Sequence, residues 1–424
     1  MNWAGNYRYG AERMLAPTTV DEVRELAQRG VPLRVLGSRH SFNAIADSAA
    51  DQISLAALDP GIAIDSAAHS VSVSAGTRYG ELAAELQRNG WALHNLASLP
   101  HISVAGAVST GTHGSGDRNG NLATAVTALD LVTSSGDLLT LRRGDADFAG
   151  AVVGLGALGV VTRLELAIEP TFDVRQDVLE GVSWASVERD FAAITAVGYS
   201  VSLFTDWSDA GVHQLWIKTR VERETEPGAE PSELSAVRDL AARTGSRLAT
   251  RPQHPLAGIS AENCTQQLGV PGPWNDRLAH FRFDFTPSNG AEIQSEYLVP
   301  REHALAAIDA LRVLAPRITP LLQVSEIRTM AADALWLSGA YGRDTVGFHF
   351  TWLRDQAAVE AVVPLIEEAL APFAARPHWG KVFRSGPEEI AGLYPRLAEF
   401  RELADRLDPA GTFRNAFVRH YLFG

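Results

Sequence analysis

The stretch "RVLGSRHSFNAIADS", residues 34–48, joins the end of an apolar, strand-like run to a loop of small and polar residues. The run stops at Gly37, and two serines, an arginine and the imidazole of His40 follow at once. Loops of this composition let several backbone N–H groups converge on one anion, while hydroxyls add further donors. The same composition is also typical of a tight turn. This loop alone therefore predicts either a turn or part of an anion-binding site.

Two further glycine-rich segments follow in the same region of the chain. The first is "VAGAVSTGTHGSG", residues 104–116, and the second is "GLGALG", residues 154–159. The second matches the G-x-G-x-x-G pattern, but the strand-like run "VVTRLELAI" follows it, whereas a dinucleotide-binding loop opens a helix. We therefore expect no Rossmann site. Three such loops together favour a large cofactor that carries a diphosphate.

Composition and charge limit the partners of the chain. Its 424 residues hold 37 Lys and Arg against 50 Asp and Glu, a net charge of −13, so neither nucleic acid nor a membrane surface is an expected partner. The only cysteine is Cys264, and His94, His101 and His113 lack the spacing of metal ligands, so no metal is expected. The N-terminus has no signal-peptide pattern, which makes the cytoplasm the expected location.

The pattern of the chain changes near Pro170. Before it, strand-like runs alternate with helices such as the one predicted over 20–27, where Thr19 and Glu22 fit a capping box and Gly30 a helix stop. After it, longer alternating runs such as "SVSLFTDW" and "HQLWIKTR" predict an antiparallel sheet. The polar segment "ERETEPGAEPSELS" predicts an exposed loop, and residues 394–424 predict one amphipathic helix that ends at Asp408-Pro409, followed by a short tail.

Four segments together carry a family resemblance: "RVLGSRHSFNAIADS", "LASLPHISVAGAVSTGTHGSG", "GALGVVTRLEL" and "LDPAGTFRNAF". They resemble the vanillyl-alcohol oxidase type of FAD-binding proteins, and among these most closely the alditol (xylitol) oxidases. The resemblance implies an α+β fold of two domains, in which a large antiparallel sheet flanked by helices forms the substrate domain. The implied boundaries are 1–172 for the FAD-binding domain, 173–375 for the substrate-binding domain, and 376–424 for a segment that returns to the first domain.

The resemblance also implies which residues contact FAD. They belong to the three glycine-rich segments: Gly37, Ser38, Arg39, His40, Ser41, Ser103, Gly106, Thr110, Gly111, Thr112, His113, Gly114, Gly159, Val160 and Val161. In the family, the histidine at the position of His40 is bonded covalently to the flavin, and a neutral imidazole nitrogen can form such a bond. The alternative is a histidine that only hydrogen-bonds in the loop. Many relatives carry Gly where this chain has Arg39, and an arginine would strain a backbone with positive φ.

The implied substrate site lies in the second half of the chain. Glu326 and Arg328 stand two apart, as do His349 and Thr351, and on a strand such pairs point to one face. Lys381 stands in a short β-like run, and Ser98 comes from the FAD-binding half. The resemblance implies that Ser98, Glu326 and Thr351 bind substrate hydroxyls, that Arg328 and Lys381 bind substrate and stabilise negative charge on the reacting oxygen, and that His349 handles a proton. The competing interpretation of Glu326 and Arg328 is a surface ion pair.

The implied activity is oxidation of the terminal C1 hydroxyl of alditols such as xylitol and sorbitol to the aldehyde, with O2 reduced to hydrogen peroxide. The expected partners are this polyol and O2, and a monomer is expected. Two alternatives remain open from the sequence: an aldonolactone oxidase or dehydrogenase of the same fold, and a flavin- or sugar-binding protein without turnover. The sequence does not rank the alditols.

Overall fold

The computed structural model describes residues 1–59, 61–221, 232–285 and 292–424. Its strands are β1 (Arg13–Leu15), β2 (Leu33–Val35), β3 (Asp51–Ile53), β4 (Ile62–Asp65), β5 (Ser70–Ser74), β6 (Trp91–Ala92), β7 (Val126–Val132), β8 (Leu138–Arg142), β9 (Val160–Ala167), β10 (Glu169–Pro170), β11 (Asp173–Val182), β12 (Ser200–Thr205), β13 (Val212–Val221), β14 (Arg247–Leu248), β15 (Gly272–Pro273), β16 (Glu292–Pro300), β17 (Leu322–Met330), β18 (Thr345–Leu353) and β19 (Arg376–Pro377). Its α-helices are α1 (Val20–Ala27), α2 (Tyr79–Arg88), α3 (Val104–Ser109), α4 (Phe148–Val152), α5 (Trp184–Ala196), α6 (Ser232–Thr244), α7 (Ala304–Val313), α8 (Ala315–Ile318), α9 (Gln356–Leu370), α10 (Pro387–Leu393), α11 (Leu397–Leu407) and α12 (Ala416–Val418).

The described residues of the first half form three small sheets, of which the smallest is the antiparallel pair of β6 and β10. Strands β1, β3 and β2 pair in parallel, and strands β4, β5, β9, β7 and β8 form an antiparallel sheet in that order. Helix α1 spans the predicted residues, and the Thr19 side chain accepts a hydrogen bond from the backbone N–H of Glu22 at its start. The run after "GLGALG" is strand β9, which confirms that this glycine motif does not open a Rossmann helix.

The second half is built on one large sheet. Its order is β14-β11-β13-β12-β17-β18-β16-β19, with β15 also paired to β11, and every pairing is antiparallel. Helices α5 and α6 pack on its β11–β13 side, and α7 and α9 pack on β16. The predicted α+β fold class, with a large antiparallel sheet flanked by helices, is confirmed.

Three local predictions are wrong in detail. Residues 104–109 of the second glycine-rich segment form helix α3, which buries Val104, Ala107 and Val108 in the core. Lys381 does not lie in a strand, since β19 ends at Pro377. The chain after Pro409 is not a plain tail: Asn415 caps α12, which continues into a π-helical turn at Arg419–Phe423.

The polar segment expected as a loop lies at residues 222–235. Residues 222–231 lie outside the described residues, and helix α6 already begins at Ser232.

The end of the chain contacts the first small sheet. The backbone N–H of Leu33 donates to the carbonyl of Thr412, and the Asn415 amide donates to the carbonyls of Ala44, Ile45 and Asp47. The boundaries at 172 and 375 stay a prediction. Within the described ranges, no helix has the length and apolar character that crossing a bilayer requires.

Candidate active site

One large cavity lies between the small sheets and the large sheet. Its volume is about 850 Å³, within the range of cofactor and ligand sites. Its wall includes most of the predicted cofactor residues: Gly37, Ser38, Arg39, His40, Ser41, Ser103, Gly106, Thr110, Thr112, His113, Gly159 and Val161. It also includes all six predicted substrate residues: Ser98, Glu326, Arg328, His349, Thr351 and Lys381. The fold therefore brings both sets together in one space.

Three of the predicted cofactor residues are not part of the cavity wall: Gly111, Gly114 and Val160. Val160 and Val161 are neighbours on β9, so their side chains point to opposite faces, and Val160 packs in the core behind the wall. Gly114 lies against the backbone of Leu96 and the side chain of Asn95, and Gly111 occupies a turn with φ +67°. These glycines shape the segment around the site.

The loop after β2 places His40 at the cavity. Its ring stacks on Trp3 with centroids 5.2 Å apart, and both of its ring nitrogens are buried without a hydrogen-bond partner. Burial, with a smaller contribution from the neighbouring His101, lowers the pKa of the His40 imidazole to about 4. His40 is therefore neutral near pH 7, with a nitrogen lone pair available inside the cavity.

Arg39 takes the strained backbone that its sequence position suggested. Its φ is +66°, in the left-handed region that favours glycine. The N-terminal segment supports this conformation, because the backbone N–H of Trp3 donates to the Arg39 carbonyl at 2.8 Å and the Asn2 amide donates to the Ser41 carbonyl at 2.9 Å. The arginine is thus accommodated by contacts outside the loop.

The residues around this end of the cavity fit FAD. A Cβ on Gly37 or on Gly106 would lie 2.6 or 2.7 Å from the Ser103 hydroxyl, so both backbones come too close to it for a side chain. The unpartnered nitrogens of His40 add a buried polar group that a ligand would satisfy. The glycine-rich loops and His40 are the residues that would hold the cofactor.

Glu326 and Arg328 lie on the cavity face of β17, as their spacing predicts, and both are buried. Their interpretation as a surface ion pair is therefore wrong. Glu326 accepts a hydrogen bond from His280 at 2.8 Å, and the Arg328 guanidinium donates towards the Ser98 hydroxyl at 3.5 Å. Burial alone would raise the pKa of Glu326, but the charge of Arg328 and the contact with His280 hold it well below its usual range.

Glu296 is the buried carboxylate at the centre of the polar wall. It stands opposite His349 in the pairing of β16 with β18, and it is 1% exposed. Its oxygens lie 2.8 Å from Arg328 Nη2, 3.1 Å from His113 Nε2 and 3.4 Å from Lys381 Nζ. Burial would raise its pKa, but these neighbours, with Lys381 first among them, lower it well below the ordinary value. Glu296 is thus a permanent negative charge that holds two cations at the cavity.

Gln294 connects the remaining substrate residues. Its side-chain oxygen accepts from Lys381 Nζ at 2.7 Å and contacts His349 Nε2 at 3.1 Å. It stands opposite Thr351 in the pairing of β16 with β18. Burial lowers the pKa of Lys381, which Glu296 opposes, and burial together with the charge of Lys381 lowers the pKa of His349 well below its ordinary value.

Sequence reasoning missed Gln294, Glu296, His280 and His378, all of which line the cavity. The sequence does contain a signal for Gln294 and Glu296, which stand two apart in "EIQSEYLVP". Residues two apart on a strand share a face, and the same spacing predicted that Glu326 and Arg328 point to one side. His280 and His378 lie outside any strand, and no local pattern marks them. Among the described residues, no group of three or more His, Cys, Asp or Glu side chains could hold a metal ion.

Comparisons with known proteins agree with this geometry. Residues 11–142 match a family described as FAD binding domain, and residues 286–421 match one described as D-arabinono-1,4-lactone oxidase. The chain is 48% identical to an alditol oxidase of a Streptomyces species over 100% of this chain and 99% of that protein. It is 27% identical to an L-gulono-1,4-lactone dehydrogenase of Mycobacterium tuberculosis, over 99% of this chain and 98% of that protein.

A solved structure shares the fold. A mutant form of the cholesterol oxidase of Brevibacterium sterolicum superposes with a TM-score of 0.75 at 15% identity, covering 98% of this chain and 96% of that chain. The fold is thus that of the vanillyl-alcohol oxidase class of FAD-binding proteins. Within that class the chain belongs to the alditol oxidase family. It is an FAD-dependent oxidoreductase that acts on a CH–OH group.

Proposed function

We propose that the protein oxidises the terminal C1 hydroxyl of alditols such as xylitol and sorbitol to the aldehyde, with O2 as the electron acceptor and hydrogen peroxide as the second product. The proposal includes a covalent bond between His40 and FAD, a monomeric enzyme and a cytoplasmic location. Bound FAD would accept a hydride from the substrate carbon and pass the electrons on to O2.

The observation that carries the proposal is the set of polar side chains at the large-sheet end of the cavity. A polyol offers only hydroxyl groups, so it needs acceptors and donors at fixed positions. Glu326 supplies a carboxylate acceptor, and Ser98 and Thr351 supply hydroxyls at the same wall. The 48% identity to an alditol oxidase over the full chain supports the same substrate class.

The two cations of the site have a chemical role in this proposal. Arg328 and Lys381 are held beside the cavity by Glu296, at 2.8 and 3.4 Å. As the C1 hydroxyl loses its proton, negative charge grows on its oxygen, and fixed cations in a buried site stabilise that charge. His349, which burial keeps neutral, is the residue we assign to proton handling.

His40 has the properties that covalent attachment requires. It is neutral, its ring is held by Trp3, and both nitrogens lie unpartnered at the cavity. A nucleophilic nitrogen that the loop holds beside a bound cofactor would react as if at very high concentration; the new C–N bond would replace a C–H bond of the flavin's 8α-methyl group, and the two electrons left on the flavin would pass to O2.

An aldonolactone oxidase or dehydrogenase is the second candidate function. The match of residues 286–421 to a D-arabinono-1,4-lactone oxidase family favours it, because that segment includes β16, β17, β18 and Lys381. The 27% identity to a lactone dehydrogenase is much lower than the 48% identity to an alditol oxidase. We therefore prefer the alditol.

The test is a substrate panel with the purified flavoprotein. Alditols of three to six carbons and two aldonolactones are supplied in air, and hydrogen peroxide and the carbonyl product are measured. We expect alditols to give peroxide and aldose in equal amounts. Turnover of lactones alone would establish the second candidate, and no reduction of the flavin by either class would contradict both.

A further inference from the structure

A buried lysine lies behind the polar wall, on strand β13. Lys218 is 1% exposed, and its ammonium group donates to the backbone carbonyls of Leu278 and Ala279 at 2.6 and 2.7 Å. Its third contact is with Nδ1 of His280 at 3.2 Å. Burial lowers the pKa of Lys218 to about 7, the charge of Glu326 opposes this shift, and the three acceptors match the three N–H donors of the ammonium form. None of the roles assigned above uses this lysine.

His280 connects Lys218 to Glu326. Because Nδ1 faces an ammonium donor, Nδ1 acts as the acceptor and the ring proton is on Nε2. Nε2 lies 2.8 Å from Glu326 Oε1, so the imidazole donates to the carboxylate. Burial lowers the pKa of His280 to about 4, which keeps the ring neutral and this tautomer in place.

Aromatic side chains fix the plane of the His280 ring. Its centroid lies 5.1 Å from that of Trp216 and 5.7 Å from that of Phe204, both in edge-to-face arrangements. The backbone N–H of His280 donates to the carbonyl of Ser98 at 3.0 Å. The imidazole therefore cannot turn freely to follow Glu326.

We propose that Lys218 and His280 are positioning residues for substrate recognition. Lys218 reinforces the tautomer of His280 by donating to Nδ1, and His280 occupies one carboxylate oxygen of Glu326 and fixes the orientation of the other. The inference rests on the proposed role of Glu326 in binding polyol hydroxyls. The other near neighbour of this carboxylate is Arg328, whose Nε lies 3.6 Å from Oε2.

Loss of either residue has a defined consequence. Without Lys218, Nδ1 of His280 loses its donor, only the contact with Glu326 is left to favour the Nε2–H tautomer, and the ring is held less firmly against the carboxylate. Without an N–H donor at position 280, Glu326 can turn further towards Arg328. Both changes alter the acceptor that the substrate meets but leave Lys381 and His40 in place, so polyol affinity should suffer more than the rate of the bound complex.

The experiment uses the flavin-loaded enzyme and anaerobic stopped-flow reduction by xylitol and by glycerol. The variants are Lys218→Met, His280→Leu and His280→Gln, of which the last keeps an amide N–H donor near the position of Nε2. We expect the apparent Kd for xylitol to rise about tenfold in Lys218→Met and His280→Leu, as for a lost hydrogen bond to a charged group. The limiting rate of reduction should fall by no more than about threefold. His280→Gln should recover most of the affinity.

The outcomes separate this inference from the proposed function. If no alditol reduces the wild-type flavin, the proposed function is wrong. The positioning role is wrong if alditols reduce the wild-type flavin but Lys218→Met and His280→Leu keep the wild-type Kd for xylitol. It is also wrong if His280→Gln binds xylitol as weakly as His280→Leu does. Should Lys218→Met fail to fold because its carbonyl partners are left without a donor, the two His280 variants decide the question by themselves. The content of acid-stable flavin, measured in each variant, verifies that the cofactor is loaded.

Discussion

At the scale of single residues, burial decides the protonation state of the side chains at the cavity. His40 has a pKa lowered to about 4, while Glu326 and Glu296 stay ionised because cations surround them. A neutral imidazole and two ionised carboxylates are thus maintained in one cavity for opposite reasons, burial in the first case and neighbouring cations in the second. Two predictions follow from individual side chains.

The first concerns His40 and the attachment of flavin. Because its ring is neutral and unpartnered at the cavity, the acid-precipitated wild-type protein should stay yellow and show the mass of one added FAD. His40→Ala should release its flavin on the same treatment. His254→Ala is the control, since His254 also lines the cavity, has no role assigned to it and should leave the acid-stable flavin unchanged. Complete release of flavin from the loaded wild-type protein would exclude the covalent bond.

The second concerns the two cations that Glu296 holds. Lys381→Met and Arg328→Ala should each lower the limiting rate of flavin reduction by alditol by about 10²–10³-fold, as for the loss of one group that stabilises a developing oxyanion. The measurement is anaerobic stopped-flow at saturating substrate. Arg312→Ala, in an ion pair with Glu188 on the surface, is the control and should react like wild type. Wild-type rates in the two site variants would refute the assigned roles.

At the scale of elements, sheet register and a few side-chain amides bring the site together. In the large sheet, Glu326 on β17 and Glu296 on β16 both stand opposite His349 on β18, which places the three side chains in one row across three strands. Lys381 has no strand to hold it. Instead, the Asn43 amide in the His40 loop donates to the carbonyls of Trp379 and Lys381 at 2.9 and 2.7 Å.

The third prediction tests this link between the two loops. Asn43→Asp keeps the oxygen that accepts from the Ile45 N–H but loses the donors to residues 379 and 381, so Lys381 should be less well placed. We expect a limiting reduction rate about tenfold lower with acid-stable flavin retained, since small misplacements of a catalytic group are costly. Asn415→Asp is the matched control.

The control fits because Asn415 has the same two functions elsewhere. Its oxygen caps α12, its amide donates to the backbone carbonyls of Ala44, Ile45 and Asp47, and Asn415 itself is not part of the cavity wall. Asn415→Asp should lower the unfolding midpoint and leave the reduction rate unchanged. Equal rates in Asn43→Asp and wild type would show that Asn43 is not what positions Lys381.

At the scale of the whole molecule, Glu296 joins the two halves of the chain electrostatically. It contacts His113, which follows α3 in the first half, and Arg328 and Lys381 from the large-sheet side. Breaking a buried ion pair by removing one partner typically destabilises a protein by about 3–5 kcal/mol. The stability of the fold is therefore tied to the same carboxylate that organises the site.

The fourth prediction concerns stability and pH. Folding lowers the pKa of Glu296 well below 4.5, its value in the unfolded chain. The contribution of Glu296 to the free energy of unfolding is therefore complete above pH 4.5 and is lost as the pH falls towards the pKa of the folded state. Glu296→Gln should therefore unfold at a lower urea concentration than wild type at pH 7, and the difference should shrink at about pH 3.5. Urea midpoints from tryptophan fluorescence at both pH values measure this. A difference that is the same at both pH values would contradict the prediction.

The sequence by itself determined the strand-then-helix pattern of the first half and the large antiparallel sheet of the second. These follow from local properties: glycine placement, caps such as Thr19, and alternation of apolar residues along a strand. The fold class and the roles of His40, Glu326 and Arg328 were predicted from the resemblance of several segments to a known family, to which the spacing of Glu326 and Arg328 added a shared strand face. Only the tertiary structure decided that Glu296 stands beside Arg328 and that His280 stands beside Glu326. It also decided that Asn43, from a loop far away in the chain, holds the backbone of Lys381. The reason is physical: the contacts of a buried charge depend on strand register and on loops that meet through space, and neither leaves a periodic signal in the sequence.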